Sequence, residues 1–330
     1  MAKLQLSIAI GDYDRVRPLA DGRAPIDGCE PLIMHLEPEE VFFRAFRQAA
    51  FDVCELSLST FAIRTAAGDC PYVGVPVFPS RSFRHTAIYI RTDRGIKGPK
   101  DLKGRRIGVP EYQVTANVWA RAILLDDHGV DPSHIRWVQG GQEEPGRIEK
   151  AAFKLPEGVH MEPAPQGRTL SGMLEAGEID GLIAPRAPSC FKRGAPNVGW
   201  LFPDPQAAAT DWYRRTRIFP IMHLLGVRRA LVERHPWLPM ALFKAFDRSK
   251  QLALEALFDP AAAMATLPFL DEHLRFVKEL MGEDYWPYGL EPNRHVLETF
   301  LDHHHRQGLS PRKLAVEELF DPSVGERFRV

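Results

Sequence analysis

Two arginines and a histidine fall within Phe78-Pro79-Ser80-Arg81-Ser82-Phe83-Arg84-His85, a connector between an apolar run and a new strand-like run. That is a poor way to build a core and a good way to build a floor for an anion, because guanidinium forks match carboxylates bidentately. Arg81 and Arg84 are the first candidates for carboxylate clamps, with a salt bridge inside the fold as the alternative for either. In an extended segment Arg81 and Phe83 share one face and Arg84 takes the other, so the segment must turn for both to meet one ligand. Arg186 and Arg217 are further carboxylate candidates. His85 and His223 are the candidate proton carriers, since an imidazole titrates at about pH 6.5. Glu111 can act as acid, base or orienting partner, or simply as a first-turn carboxylate on a helix dipole. Glu55 ends a buried-looking strand, where a carboxylate needs a partner such as a ligand hydroxyl. Asp12 either accepts a hydroxyl proton or belongs to a Gly-Asp turn. Ser57, Tyr112 and Thr115 complete the binding candidates; the hydroxyls and free amides at the helix starts of Ser57 and Thr115 can cap or can receive an anion.

Elements must hold these groups in place. Residues 1–10 alternate apolar and polar side chains and run into Gly11-Asp12, which predicts a strand ending in a turn. Phe42, Phe43, Phe46 and Ala50 recur at helical spacing, predicting a helix over 39–50, then a strand over 51–56 and a second helix from Ser57. Strands follow over 73–77 and 86–90, the second passing into another lobe. There a short helix from Asp101, a stop at Gly104 and a strand over 107–110 precede a helix over 115–128. Strands over 135–138 and 179–184 bracket an irregular charged excursion, 140–158, and a helix over 171–178. Residues 218–227 read as a strand and hinge that returns the chain, and helices dominate from Pro239. The expected architecture is an α/β two-lobed clamp with mixed sheets, two interlobe crossings and a helical C-terminal segment. Lobe I comprises 1–85 plus 223–330, and lobe II comprises 86–222. Open α/β sheets bind ligands beyond the carboxyl ends of their strands, and the candidates above all follow strands.

The 330 residues, 45% hydrophobic, suit two lobes of ordinary size and therefore a cleft. Forty-two basic against forty-three acidic residues leave a formal charge of −1. Such a balance argues against a nucleic-acid or acidic-membrane partner and requires any anion to be bound locally. Cys29, Cys54, Cys70 and Cys190 lie far apart without CxxC pairing and read as reduced packing residues. With neither a signal-peptide pattern nor an apolar run of about 18 to 20 residues, the expected location is cytoplasmic. His303-His304-His305 and the aromatic turn Tyr285-Trp286-Pro287-Tyr288 take the bland readings of a polar late helix and a packed turn, although the turn can also cap the cleft.

Three runs carry a resemblance over nearly the whole chain: 78–85, Gly108-Val109-Pro110-Glu111-Tyr112-Gln113-Val114-Thr115-Ala116 with Trp119 and Arg121, and Ile218-Phe219-Pro220-Ile221-Met222-His223. The sequence resembles the 4,5-dihydroxyphthalate decarboxylase family. The resemblance implies the fold of type II periplasmic solute-binding proteins, a small aromatic dicarboxylate as ligand, carbon dioxide and protocatechuate as products, and a place in phthalate degradation. It implies no organic cofactor; a divalent metal stays open, because acids and histidines at strand ends can converge in space. A homo-oligomer is likewise open. The alternatives are a solute-binding protein for an aromatic carboxylate, a decarboxylase of a different hydroxylated aromatic acid, and a relative of the pyrimidine-precursor synthases of thiamin biosynthesis, whose glycine- and cysteine-rich iron-binding stretch is missing here.

Overall fold

The computed structural model describes residues 3–147, 149, 151–259, 261 and 264–324. The start of the predicted first strand (1–2), two positions of the charged excursion (148 and 150) and the end of the helical tail (325–330) lie outside them. The strands are β1 (Leu4–Ile10), β2 (Cys29–His35), β3 (Val53–Ser57), β4 (Tyr72–Arg81), β5 (Ile88–Arg91), β6 (Arg106–Val109), β7 (Arg136–Gln139), β8 (His160–Pro163), β9 (Gly181–Ile183), β10 (Val198–Trp200) and β11 (Ile221–Arg228). The helices are α1 (Arg17–Ala20), α2 (Pro38–Gln48), α3 (Leu58–Ala67), α4 (Thr115–His128), α5 (Leu170–Ala176), α6 (Ser189–Lys192), α7 (Pro205–Thr216), α8 (Arg229–Arg234), α9 (Leu238–Leu257), α10 (Leu270–Met281) and α11 (Arg294–Arg306).

Two mixed sheets result. The first has the order β2-β1-β3-β11-β4, with β1 to β3 parallel and β11 antiparallel to both of its neighbours. The second has the order β10-β5-β9-β6-β7-β8, with β6 to β9 parallel and β5 antiparallel to both of its neighbours. The chain leaves the first sheet after Arg81 and re-enters it at Ile221. The two crossing segments lie side by side: the Ser82 amide donates to the Pro220 carbonyl at 3.1 Å, and the Phe83 and Phe219 rings are 4.8 Å apart.

Local chemistry sets the boundaries. Pro38 opens α2, where its missing N–H is no loss, and Ala49 closes it in the left-handed region at φ 47°. Helix α4 spans the residues its periodicity predicts and stops at Gly129. Strand β4 runs further than expected, so the arginine connector begins inside a strand. It tolerates Pro76 and Pro79 because it lies at the ladder's edge and is irregular: between Val75 and Ser80 it advances five residues while β11 advances two. Its outer side is covered by the C-terminal segment, which bridges Gly74 to Phe320; a Cβ on Gly74 would stand 2.3 Å from the Leu319 carbonyl oxygen.

Candidate active site

A cleft of about 780 Å³ opens beyond the carboxyl ends of β1, β3, β6, β7 and β9. Tyr13, Phe42, Ser57, Ser80, Arg84, Met222 and His223 line it from the first sheet and its crossings, and Glu111, Gln113, Thr115, Arg147 and Arg186 from the second.

At its floor stands a proton-carrying pair. His223 on β11 lies opposite Ser57 on β3, and Glu55 lies opposite Leu225. Side chains two apart on a strand share a face, so the diagonal neighbours Glu55 and His223 point the same way. Their contact is direct, with His223 Nδ1 2.5 Å from Glu55 Oε1. The Glu55 carboxylate is fully buried and also accepts from the Gly11 amide at 3.0 Å and the Tyr13 hydroxyl at 2.8 Å. Burial works to raise its pKa, but the imidazole and these donors outweigh burial and hold it below the ordinary carboxylate range. Burial, and then Glu55, push the Tyr13 phenol up, so it stays a donor. Among the described residues nothing hydrogen-bonds His223 Nε2, and the ring, packed edge-on against Phe42, lines the cleft. The irregular pairing of β11 with β4 flanks His223 on both sides, the kind of distortion that re-aims a side chain.

Beside this pair is an unneutralised cation. Arg84 donates through Nε to the Met222 sulfur at 3.0 Å, and no carboxylate of the described residues lies within ion-pair distance of it. Burial pushes its guanidinium down to about 10. A desolvated cation without a counter-ion is a site waiting for an anion. The start of α4 adds to it: Thr115 Oγ1 accepts from the Ser59 amide at 3.0 Å and lies 3.1 Å from Ser57 Oγ, tying two helix starts together at the cleft wall.

On the facing wall the buried Glu111 accepts from Arg147 Nε at 2.6 Å, the geometry of an orienting partner. Glu149 then anchors the loop by accepting from the Tyr112 amide (2.5 Å), Gln113 Nε2 (2.8 Å) and Gln139 Nε2 (2.9 Å). Burial raises its pKa.

The structure gathers Ser57, Arg84, Glu111, Thr115 and His223 at the cleft, with Glu55 buried behind His223 and Arg186 at the rim bound to Glu37 and Glu39 at 2.9 and 2.8 Å. It places the others elsewhere. Arg81 turns away on the opposite face, as strand alternation requires, and donates to the carbonyls of Phe219 (3.1 Å) and Pro287 (2.8 Å) and to Asn293 Oδ1. Its role is to staple a crossing segment and the aromatic turn to β4, and Trp286 does the same by donating to the Phe78 carbonyl. Arg81→Ala is therefore expected to cost on the order of 3 kcal/mol of stability by chemical denaturation, because it strands buried acceptors. His85 is wedged against Phe202 and Trp212, away from the cleft. Asp12 pairs with Arg17 in solvent, Arg217 is exposed at the left-handed end of α7, and the Tyr112 ring is buried under Arg121 and Phe153. Tyr13, Gln113, Met222 and Arg147 were given no individual role from sequence; the first three lie in the strand-end stretches 11–14, 111–115 and 217–223, which was their signal, and Arg147 had none.

The triple histidine is structural. His303 meets Asp126 at 2.7 Å, His304 bridges Ser59 and Ser310, and His305 meets the Ser310 carbonyl. Burial lowers His304 to about 3 and His85 to about 4. Both folded-state values lie below the ordinary 6.5, so the stability these neutral rings contribute is complete above pH 6.5 and is lost as pH falls toward 4. The melting temperature should fall over that interval, and His85→Leu should flatten the slope in thermal scans from pH 7 to 4. Among the described residues no group of three or more His, Cys, Asp or Glu is placed to hold a metal, and no helix is long and apolar enough to cross a membrane.

The periplasmic aliphatic sulphonate binding protein SsuA of Escherichia coli matches the structure with a TM-score of 0.56 at 14% identity, over 98% of this chain and 99% of its own. The alkanesulfonate-binding protein SsuA of Xanthomonas axonopodis pv. citri, bound to MOPS, gives 0.54 at 13%, over 97% and 99%. The fold is that of the periplasmic binding proteins. The family described as NMT1/THI5 like matches residues 81–150. In sequence, the 4,5-dihydroxyphthalate decarboxylase of Comamonas testosteroni is 58% identical over 330 residues, all of both chains. That of Pseudomonas putida is 62% identical over 214 residues, 65% of this chain and 83% of its own. The chain belongs to the 4,5-dihydroxyphthalate decarboxylase family and is an enzyme.

Proposed function

We propose that this enzyme is a carboxy-lyase that removes one carboxylate of 4,5-dihydroxyphthalate as carbon dioxide, without oxidation, and releases protocatechuate. The names of a relative matched over its full length and of a second matched over 214 residues support the reaction. The observation that carries it in the structure is a cleft-lining His223 held by the buried Glu55, in one cleft with an arginine that has no carboxylate partner among the described residues.

Direct loss of carbon dioxide from an arene carboxylate would leave an aryl carbanion, too costly near neutrality. A hydroxyl para to the leaving carboxylate avoids it. When a base takes the hydroxyl proton, electron density moves to the ring carbon bearing the carboxylate, and that carbon accepts a proton. The carbon–carbon bond then breaks, its electron pair returns to the ring to restore aromaticity, and the phenolate oxygen regains the proton held by the base, so that the proton delivered to the ring carbon is the one consumed. The dianion plus one proton gives the monoanion plus carbon dioxide. Because the ring hydroxyl supplies the electrons, the chemistry needs no organic electron sink.

His223 is assigned the hydroxyl proton. Glu55 fixes Nδ1 and stabilises the imidazolium, and Nε2 is left to face the ligand. Arg84 holds the retained carboxylate, assisted by Thr115 and the amides that begin α4. The test is release of carbon dioxide with loss of ultraviolet absorbance when purified protein meets 4,5-dihydroxyphthalate, with and without a chelator. Chelator-resistant turnover is expected. Saturable binding without turnover would overturn the reaction and leave a binding role; loss of turnover with chelator would add a metal.

A further inference from the structure

We infer that Arg147 is a specificity-determining residue that presents its guanidinium fork to the second carboxylate of the ligand, selecting an aromatic 1,2-dicarboxylate over a monocarboxylate. The inference rests on the substrate class proposed above.

A dianion entering this cleft needs two cations. Three arginines line it, and their commitments differ. Arg186 is spent on Glu37 and Glu39, and among the described residues Arg84 has no carboxylate partner. Arg147 is intermediate. Its Nε is held by Glu111, while among the described residues its two terminal amino groups make no hydrogen bond. A guanidinium has five donors, and engaging Nε leaves the terminal pair, the edge that matches a carboxylate bidentately. Glu111 is 1% exposed and the Arg147 side chain 36%, so the pair has a fixed acceptor inside and an accessible cation outside.

The loop is held to suit. Two residues beyond Arg147, the Glu149 carboxylate grips the Tyr112 amide and the side chains of Gln113 and Gln139, which tethers the loop to the ends of β6 and β7. Glu111 makes further interactions besides Arg147, so it keeps support when the arginine engages a ligand. Arg84 comes from a crossing segment and Arg147 from the wall of the second sheet, so the two cations reach the ligand from different elements.

The test uses phthalate and benzoate, which lack the ring hydroxyls and are not turned over, as calorimetric probes of the full-length protein. Wild type should bind phthalate more tightly than benzoate. Arg147→Gln should lose about 10- to 100-fold in phthalate affinity, with benzoate changed less than about threefold; Arg147→Lys, which keeps charge but not the fork, should fall between. An unchanged phthalate-to-benzoate ratio in Arg147→Gln overturns the inference, as does equal loss for both ligands. Failure of wild type to bind phthalate would sink the dicarboxylate reading along with it. Tight, Arg147-dependent phthalate binding without turnover of 4,5-dihydroxyphthalate would remove the reaction and leave the inference standing.

Discussion

Replacing His223 with alanine should lower kcat by about 10²- to 10⁴-fold, the usual range for one positioned proton-transfer group, while phthalate affinity stays within a few-fold of wild type. The split follows from the layout. His223 touches the cleft through one ring nitrogen and contributes no fixed charge to the ligand, whereas Arg84 and the start of α4 occupy other parts of the wall. Glu55→Gln should give a smaller loss of kcat, because the amide can still orient the ring but no longer balances the imidazolium. Since the Glu55 pKa is depressed in the folded state, the stability its carboxylate contributes is present above the ordinary value of 4.5 and is lost as pH falls below it. Single-turnover rates with calorimetric phthalate binding on the same preparations check the assignment, and wild-type kcat in His223→Ala would remove the residue from the mechanism.

Replacing Arg84 with methionine should do the converse. KM for the dianion should rise on the order of 100-fold, the worth of a desolvated bidentate contact to a carboxylate, with a smaller change in kcat. Methionine suits the site because Arg84 already lies against the Met222 sulfur. Removing a half-buried cation that has no carboxylate partner among the described residues also relieves part of a desolvation cost, so the variant should melt no lower than wild type, and it should bind benzoate and phthalate more weakly to a similar degree. Steady-state kinetics and thermal scans separate these outcomes. Unchanged affinity for both ligands would mean that the carboxylate sits elsewhere.

The alternation of strands and helices was legible because inner strands and amphipathic helices carry their burial in their spacing. Helix α2 shows this best, with Val41, Phe42, Ala45 and Phe46 buried at helical spacing, whereas α4 is buried on every side from Thr115 to Leu124 and was legible by its explicit stop at Gly129. Strands β2, β8 and β10 escaped notice for one reason: each is an edge of its sheet, where only one neighbour disciplines the pattern. At the site, Glu55 and His223 were legible as types that need a reason to sit on buried strands, although nothing in a spacing of 168 residues announces that they touch. Arg81 and His85 misled because a cluster of cations in a connector does not say which face each takes. Alternation along β4 sends Arg81 to the back, and burial against aromatic rings takes His85 out of play. Arg147 lay in a loop without periodicity, where no signal was available.

The strand order of the first sheet also governs when the enzyme comes into being. Strands β3 and β4 do not pair with each other; β11 fills the gap between them, and it is made only after the whole second sheet has been translated. A nascent chain that has emerged as far as β10 therefore exposes unsatisfied strand edges at β3 and β4, and holds Glu55 with Gly11 and Tyr13 but without its imidazole partner. Closure of the sheet, completion of the crossings and union of Glu55 with His223 are a single late event, dominated by long-range contacts and correspondingly slow. Until residue 228 has left the ribosome, the chain has the vulnerability of an open sheet and none of the chemistry.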